Sequence, residues 1–238
     1  MKSVLDQYIP TITAFRPGTT RELFSLRLAQ KLHDVVAVRH YRDLTDSYSE
    51  GQLLLAYRRT LRTHGQDYGR RFQGELQQIH ANGQHNHITK LISIRIERRT
   101  VAIAIFHGEH LEYADSRQLS SDREKAVASA VAFVNWILGR FDVESTAVEA
   151  ILNGHEIQRR ALHEGICATL RERVLPIWEV PKPVLLEGFG HPPVKSRAEL
   201  RRIATTIWPI LAGTNSKTFV QDAAILGLHV QIERLFIT

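Results

Sequence analysis

The change of hydrophobic period between Lys90 and Leu119 constrains this chain more than any other feature. In LISIRIE, Ile92, Ile94 and Ile96 alternate with Ser93, Arg95 and Glu97, the period-two pattern of a half-buried strand. TVAIAIF comes after a short polar turn as an unbroken apolar run, which predicts a strand covered on both faces. His107-Gly108-Glu109 then turns the chain into HLEYADS. Three consecutive antiparallel strands are the simplest reading, and they exclude an all-helical body.

Beyond these strands the chain alternates between helix and strand. Val127, Ala130, Val131, Val134, Ile137, Leu138 and Phe141 recur at helical spacing after Ser121 and predict an amphipathic helix. STAVEAI, residues 145–151, reads as a short buried strand, and Asn153 with Glu156 opens a helix from about 154 to 174. PIWEVPKPVLLEG carries three prolines and is expected to be extended. Helices near 197–212 and 217–235 close the chain. Helix starts are marked by capping-box spacing at Thr19-x-x-Glu22, Ser47-x-x-Glu50, Ser121-x-x-Glu124 and Ser196-x-x-Glu199, where a hydroxyl and a glutamate satisfy orphan N–H groups reciprocally. The first two predict a helical front part, its second helix ending near Gly65. His85-Asn86-His87 with its Gly and Asn neighbours marks a linker. The expected domains are a basic, mainly helical region at 1–89 and an α/β domain at 90–238, ordered β-β-β-α-β-α-β-α with the last helix doubled.

Charge is distributed unevenly over these parts. Lys and Arg number 31 against 25 acidic residues, net +6, with an isoelectric point near 9.7. Up to and including Lys90 there are 13 basic and 8 acidic residues; beyond it there are 18 and 17. A basic front module suits an anionic partner such as a nucleic-acid backbone. The bland alternative is a solvated surface that favours arginine. The longest apolar run, Val101 to Phe106, is far short of the ~18 residues of a membrane span. The N-terminus lacks a secretory h-region, and the single cysteine, Cys167, has no internal disulfide partner. These features together give the expectation of a cytoplasmic protein that meets no membrane.

The order of elements, with ISIRIERRTVAIAIF at its opening, AVEAI at 147–151 and DAAILGLHV at 222–230, resembles the RNase H-like superfamily, and within it the RuvC-type Holliday-junction resolvases. The resemblance is topological, covers about the last 150 residues, and finds no counterpart for residues 1–89. It implies a mixed sheet, a three-strand antiparallel meander plus two further strands, flanked by helices. It also implies converging carboxylates that hold two divalent cations, Mg²⁺ or Mn²⁺, for phosphodiester hydrolysis. Glu149 matches the strand-four glutamate and Asp222 the last-helix aspartate. Where the family places its metal-bridging aspartate this chain has Arg95, and Glu97 lies two residues late. One turn before Asp222 stand Thr218 and Phe219 instead of a second acid. Two readings stay open. Arg95 pairs with Glu149 or Asp222 in a degenerate site without a cofactor, or Glu97 enters through a bulge and completes a catalytic and metal set with Glu149 and Asp222. Outside the resemblance, Glu149 is simply a strand-end residue and Asp222 an acid favourable to a helix dipole.

Further candidates lie in LLLAYRRTLRTHGQDYGRRFQGELQ. Arg58, Arg59 and Arg62, then Arg70 and Arg71, are interleaved with Tyr57, Tyr68 and Phe72, a pattern suited to bridging phosphates while aromatics stack on bases. A helix with an arginine-rich wet face explains it equally well. Arg197, Arg201 and Arg202 share that ambiguity. His80, His85 and His87 fit no standard zinc spacing and read as a polar loop. Asp222, His229 and Glu233 lie near one helix face, without a nucleophile to make a triad. Cys167, between Ile166 and Ala168, reads as a small buried hydrophobe. Gly188-Phe189-Gly190 lacks the Lys-Ser/Thr of a phosphate loop. The functional expectation is a nucleic-acid-binding protein, for DNA or RNA, on a catalytically degenerate RNase H-like domain. Its alternatives are an active divalent-metal-dependent nuclease and a non-enzymatic protein-interaction scaffold, with protein partners or a homodimer.

Overall fold

The structure, a computed structural model, describes residues 15–20, 22–23, 26–27, 52, 55–56, 90–108, 110–151, 157–190, 192–212 and 218–236. Two compact units divide the chain: Met1–His87 with Glu187–Val194 and Leu235–Thr238, and Ile88–Leu186 with Lys195–Arg234. In the first, Thr19 Oγ1 accepts from Glu22 N–H at 3.0 Å, while the Glu22 carboxylate accepts from Gly18 N–H at 2.8 Å. The expected helix start is therefore present, with its reciprocal bond one residue earlier than a standard box. Leu23, Leu26, Ala56 and Phe189 are buried, and Arg16 donates to the Pro192 carbonyl at 2.7 Å. Of the helix expected from residue 48, the described residues Gln52, Leu55 and Ala56 are helical.

The second unit is built on a five-stranded sheet. Strands β1 (Lys90–Glu97), β2 (Thr100–His107) and β3 (His110–Gln118) form the expected antiparallel meander. Gly108, at φ 60°, makes the second turn, a conformation glycine adopts without steric cost. Strands β4 (Ser145–Glu149) and β5 (Ile177–Val180) add in parallel on the other side of β1, giving the order β3-β2-β1-β4-β5. Among the described residues of this region the helices are α1 (Arg123–Arg140), α2 (Ile157–Glu172), α3 (Lys182–Gly188), α4 (Arg197–Ile207) and α5 (Thr218–Phe236).

Helices α1 and α2 cover one face of the sheet. Ile92, Ile94 and Ile96 of β1 and Val148 of β4 join Ala130, Phe133, Val134 and Ile137 of α1 and Leu162, Ile166 and Leu170 of α2 in one apolar cluster. The opposite face meets α5, where Ser93 Oγ donates to the Ala223 carbonyl at 2.6 Å. At Gly227 an added Cβ would fall 2.6 Å from Ser93 Oγ and would strike the Phe106 ring. Glycine is what lets α5 lie this close to the strands.

Several expectations need correction. β1 is buried on both faces, with Ser93 and Arg95 inaccessible, because α5 covers the face that its polar residues were expected to give to water. The cap of α1 is Asp122, which accepts from Lys125 N–H at 2.9 Å, one residue later than Ser121. The segment from Lys182 to Gly188, expected to be extended, is helical as α3. Its two prolines, Pro181 and Pro183, sit at the cap and in the first turn, where a missing N–H breaks no intrahelical bond. Helix α4 stops at Ile207, and Pro209 begins a 3₁₀ turn to Leu211. Ser196 caps α4 as expected, accepting from Glu199 N–H at 3.3 Å.

Candidate functional site: an arginine-filled carboxylate cluster

Register brings the site together. In the parallel pairing of β1 with β4, Ile94 lies beside Val148, so the next residues, Arg95 and Glu149, stand side by side. Ile94 and Val148 face α1 and α2. Alternation therefore turns Arg95 and Glu149 to the other face, where α5 supplies Asp222. All three are buried, at 3%, 5% and 4% exposure. Pairing of β1 with β2 continues without a bulge to Glu97 opposite Thr100, so Glu97 keeps its regular strand position and bonds the Arg95 guanidinium.

Each carboxylate in the cluster meets guanidinium. Glu149 has Arg95 at 3.0 Å, Arg159 at 3.8 Å, and Arg197 in hydrogen-bond contact. Asp222 receives two parallel bonds from Arg201, both of 2.8 Å, with Arg197 at 3.7 Å and Arg95 at 3.8 Å. The Arg201–Asp222 pair has the bidentate geometry in which guanidinium and carboxylate match best. Arg197 and Arg201 come from the first two turns of α4, while Arg159 comes from α2 and also donates to the Ile96 carbonyl at 2.9 Å. The sequence offers Arg197 and Arg201 together with Arg202 as an arginine cluster, without their acidic partners. Arg159 carries no mark of its role, since nothing in the pattern of α2 distinguishes it from Arg160.

The electrostatics come from burial and neighbours. Burial is the largest influence on Arg95 and lowers its pKa, opposed first by Glu149, while Arg197 and Arg159 add repulsion. An arginine pKa starts high enough that the group stays charged at neutral pH. Arg201 moves the other way, raised above all by its hydrogen bonds to Asp222. Among the described residues, four guanidiniums (Arg95, Arg159, Arg197, Arg201) face three carboxylates (Glu97, Glu149, Asp222). Among the described residues, too, Arg95 Nε and Glu149 Oε2 are buried without a well-directed hydrogen bond. The 3.0 Å approach of Arg95 to Glu149 Oε2 is thus Coulombic attraction with poor angular geometry. Arg197 and Arg201 keep 18% and 29% of their side-chain surface, so the cluster reaches water along α4.

Other expected site residues fall elsewhere. Arg58, Arg59, Arg62, Arg70 and Arg71, together with His80, His85 and His87, lie outside the described residues. Arg202 is exposed. His229 is buried on α5, two turns beyond Asp222.

No family model matches the chain, and neither does any curated protein. Solved structures do. The chain is similar to the RuvC structure of Thermus thermophilus, with a TM-score of 0.51 at 16% identity, over 61% of this chain and 95% of that one. The same organism's RuvC in complex with Holliday junction substrate matches at a TM-score of 0.51 and 13% identity, over 61% and 94%. The yeast mitochondrial Holliday junction resolvase Ydc2 aligns at a TM-score of 0.45 and 9% identity, over 69% and 90%. With the strand order and the flanking helices already in place, the topology is that of the RNase H-like fold in its RuvC-type form.

Proposed function

We propose that this chain binds nucleic acid without cleaving it, through an RNase H-like body whose carboxylate centre is occupied by arginine. The observation that carries the reading is the crowding of Arg95, Arg159, Arg197 and Arg201 within 4 Å of the Glu149 and Asp222 carboxylates. Hard divalent cations need several oxygen ligands, and a guanidinium within 4 Å of those oxygens repels them strongly in a low-dielectric setting. These residues do not fit a pair of Mg²⁺ or Mn²⁺ ions. Among the described residues the cluster offers instead four guanidiniums to three carboxylates, with a buried donor, Arg95 Nε, that has no directed partner there. Arg197 and Arg201 at the wet margin have the planar donor fork that suits a phosphodiester. The structural neighbour seen with a Holliday junction makes branched DNA the first ligand to try. The basic front part, through Arg58, Arg59, Arg62, Arg70 and Arg71, is the proposed source of further phosphate contacts.

The test is binding of labelled four-way junction, duplex and single-stranded DNA and RNA by the full chain across a salt series, with and without Mg²⁺ or Mn²⁺. Tight binding at low salt that weakens steeply as salt rises, with the strands intact in metal, supports the proposal. Cleavage that Glu149→Ala abolishes would replace it with a metal-dependent nuclease using Glu97, Glu149 and Asp222. Absence of binding at low salt would leave a protein-interaction scaffold.

A further inference from the structure

A second cluster of chemically apt side chains lies on the opposite face of the sheet, between α2 and β5. His163 and Cys167 are four residues apart on α2 and so stack on one side of the helix. Glu179 shares its face of β5 with Ile177, which packs against the apolar core beneath α2. The Cys167 sulfur lies 3.8 Å from each His163 ring nitrogen, and His163 Nε2 lies 3.9 Å from the Glu179 carboxylate. All three donor atoms fall within 4.8 Å of one another.

We propose that His163, Cys167 and Glu179 form a zinc site with one coordination position left open. Zinc bonds of about 2.0 Å to nitrogen or oxygen and about 2.3 Å to sulfur imply donor separations of roughly 3.3–3.6 Å in a tetrahedron. Two of the separations here, 3.8 and 3.9 Å, are a little longer than those and the third lies within 4.8 Å, so modest side-chain movements bring the three donors onto one ion. Thiolate, neutral imidazole and carboxylate are the donors zinc prefers. Thiolate and carboxylate together balance its two charges. Cys167 is 1% exposed. Coordination by Cys167 as thiolate releases its proton, one for each ion bound. Glu179, with 45% of its side chain exposed, stands on the solvent side and marks where the open position faces. Bound there, the ion ties β5, a four-residue strand at the edge of the sheet, to α2.

The proposal makes a spectroscopic prediction. The full chain, stripped with chelator, is titrated with Co²⁺ and then with Zn²⁺. One Co²⁺ per chain should produce a near-ultraviolet thiolate-to-cobalt charge-transfer band, which Zn²⁺ then abolishes by displacement. Zn²⁺ should also raise the thermal unfolding midpoint of the wild type. Cys167→Ser should lose the band. Glu179→Gln, at a half-exposed position that the fold tolerates, should weaken Zn²⁺ at least about tenfold, since even outer-shell changes cost that much. Cobalt binding without the charge-transfer band would overturn the proposal and assign the metal to other histidines. Zn²⁺ affinity unchanged in Glu179→Gln would overturn the three-ligand site in the same way.

Discussion

Arg95 occupies the most consequential position in the body. It sits on the central strand, 3% exposed, and its guanidinium lies within 4 Å of Glu97, Glu149 and Asp222 alike. Removing one partner of a buried ion pair typically costs ~3–5 kcal/mol because the other charge is left uncompensated. Arg197, Arg159 and Arg201 remain beside Glu149 and Asp222 in an Arg95→Met variant, which places its expected loss at the lower end, about 3 kcal/mol. The double variant Arg95→Met/Glu149→Leu should lose less than the sum of the singles, since the two groups are coupled. Urea unfolding with equal slopes would measure both, and strict additivity would show that Arg95 and Glu149 act independently. Val174 carries a different kind of cost. It holds φ 57° just after α2, where Val174 N–H bonds the Arg171 carbonyl at 2.9 Å and Leu175 N–H bonds the Leu170 carbonyl at 3.1 Å. That is a Schellman ending, whose left-handed residue is ordinarily glycine. A β-branched residue there costs ~1–2 kcal/mol, and Val174 is 87% exposed, so no packing is lost on replacement. Val174→Gly should raise stability by about 1 kcal/mol despite glycine's larger unfolded-state entropy. An unchanged denaturation midpoint would contradict this.

At the scale of elements, the hydrophobic period identifies which residues share a face and leaves open what covers that face. The alternation in β1 separates Ile92, Ile94 and Ile96 from Ser93 and Arg95 correctly. It cannot say that α5, some 130 residues later, lies over the polar set and buries it. Proline in PIWEVPKPVLLEG argues against helix only beyond the first turn, and α3 begins with its prolines inside that limit. A topological resemblance brings Glu149, Asp222 and Arg95 to one point, and the pairing of β1 with β4 supplies the physical reason. The two arginines of α4 and Arg159 complete the cluster through packing between elements distant in sequence, for which a single sequence carries no periodic signal. The His163-Cys167 spacing, by contrast, is legible on a helix. What hides it is the apolar company of Cys167 and the placing of Glu179 on a strand, whereas His80, His85 and His87 crowd together in sequence. Gly227 tests the close approach of α5. Alanine there gains up to ~1 kcal/mol of helix propensity, while overpacking against Ser93 and Phe106 costs typically ~1–3 kcal/mol. Gly227→Ala should therefore destabilise on balance, and a calorimetric midpoint at or above that of wild type would show that α5 has room to move.

For the whole molecule the deciding quantity is where the positive charge does its work. Residues up to Lys90 hold 13 basic against 8 acidic groups, whereas the remainder is nearly balanced at 18 against 17. Within that balanced part, Arg95, Arg159, Arg197 and Arg201 already face carboxylates. If the chain binds nucleic acid as proposed, most counterion release should therefore come from the front part. Each phosphate contact contributes about 0.9 to the slope of log affinity against log salt on duplex DNA. Arg58→Ala/Arg59→Ala/Arg62→Ala should then flatten that slope by about 3 if each arginine meets a phosphate. Among the described residues, Arg197→Ala/Arg201→Ala also leaves Asp222 with Arg95 alone and Glu149 with Arg95 and Arg159, so less of their negative charge is screened from the backbone. Its effect should exceed the change of about 2 expected from lost contacts alone. Combining the two sets on one chain tests whether they serve one ligand. Losses that add show independent contacts on a single nucleic acid, and a combined variant no weaker than the triple would confine recognition to the front part and leave the arginine cluster a structural network.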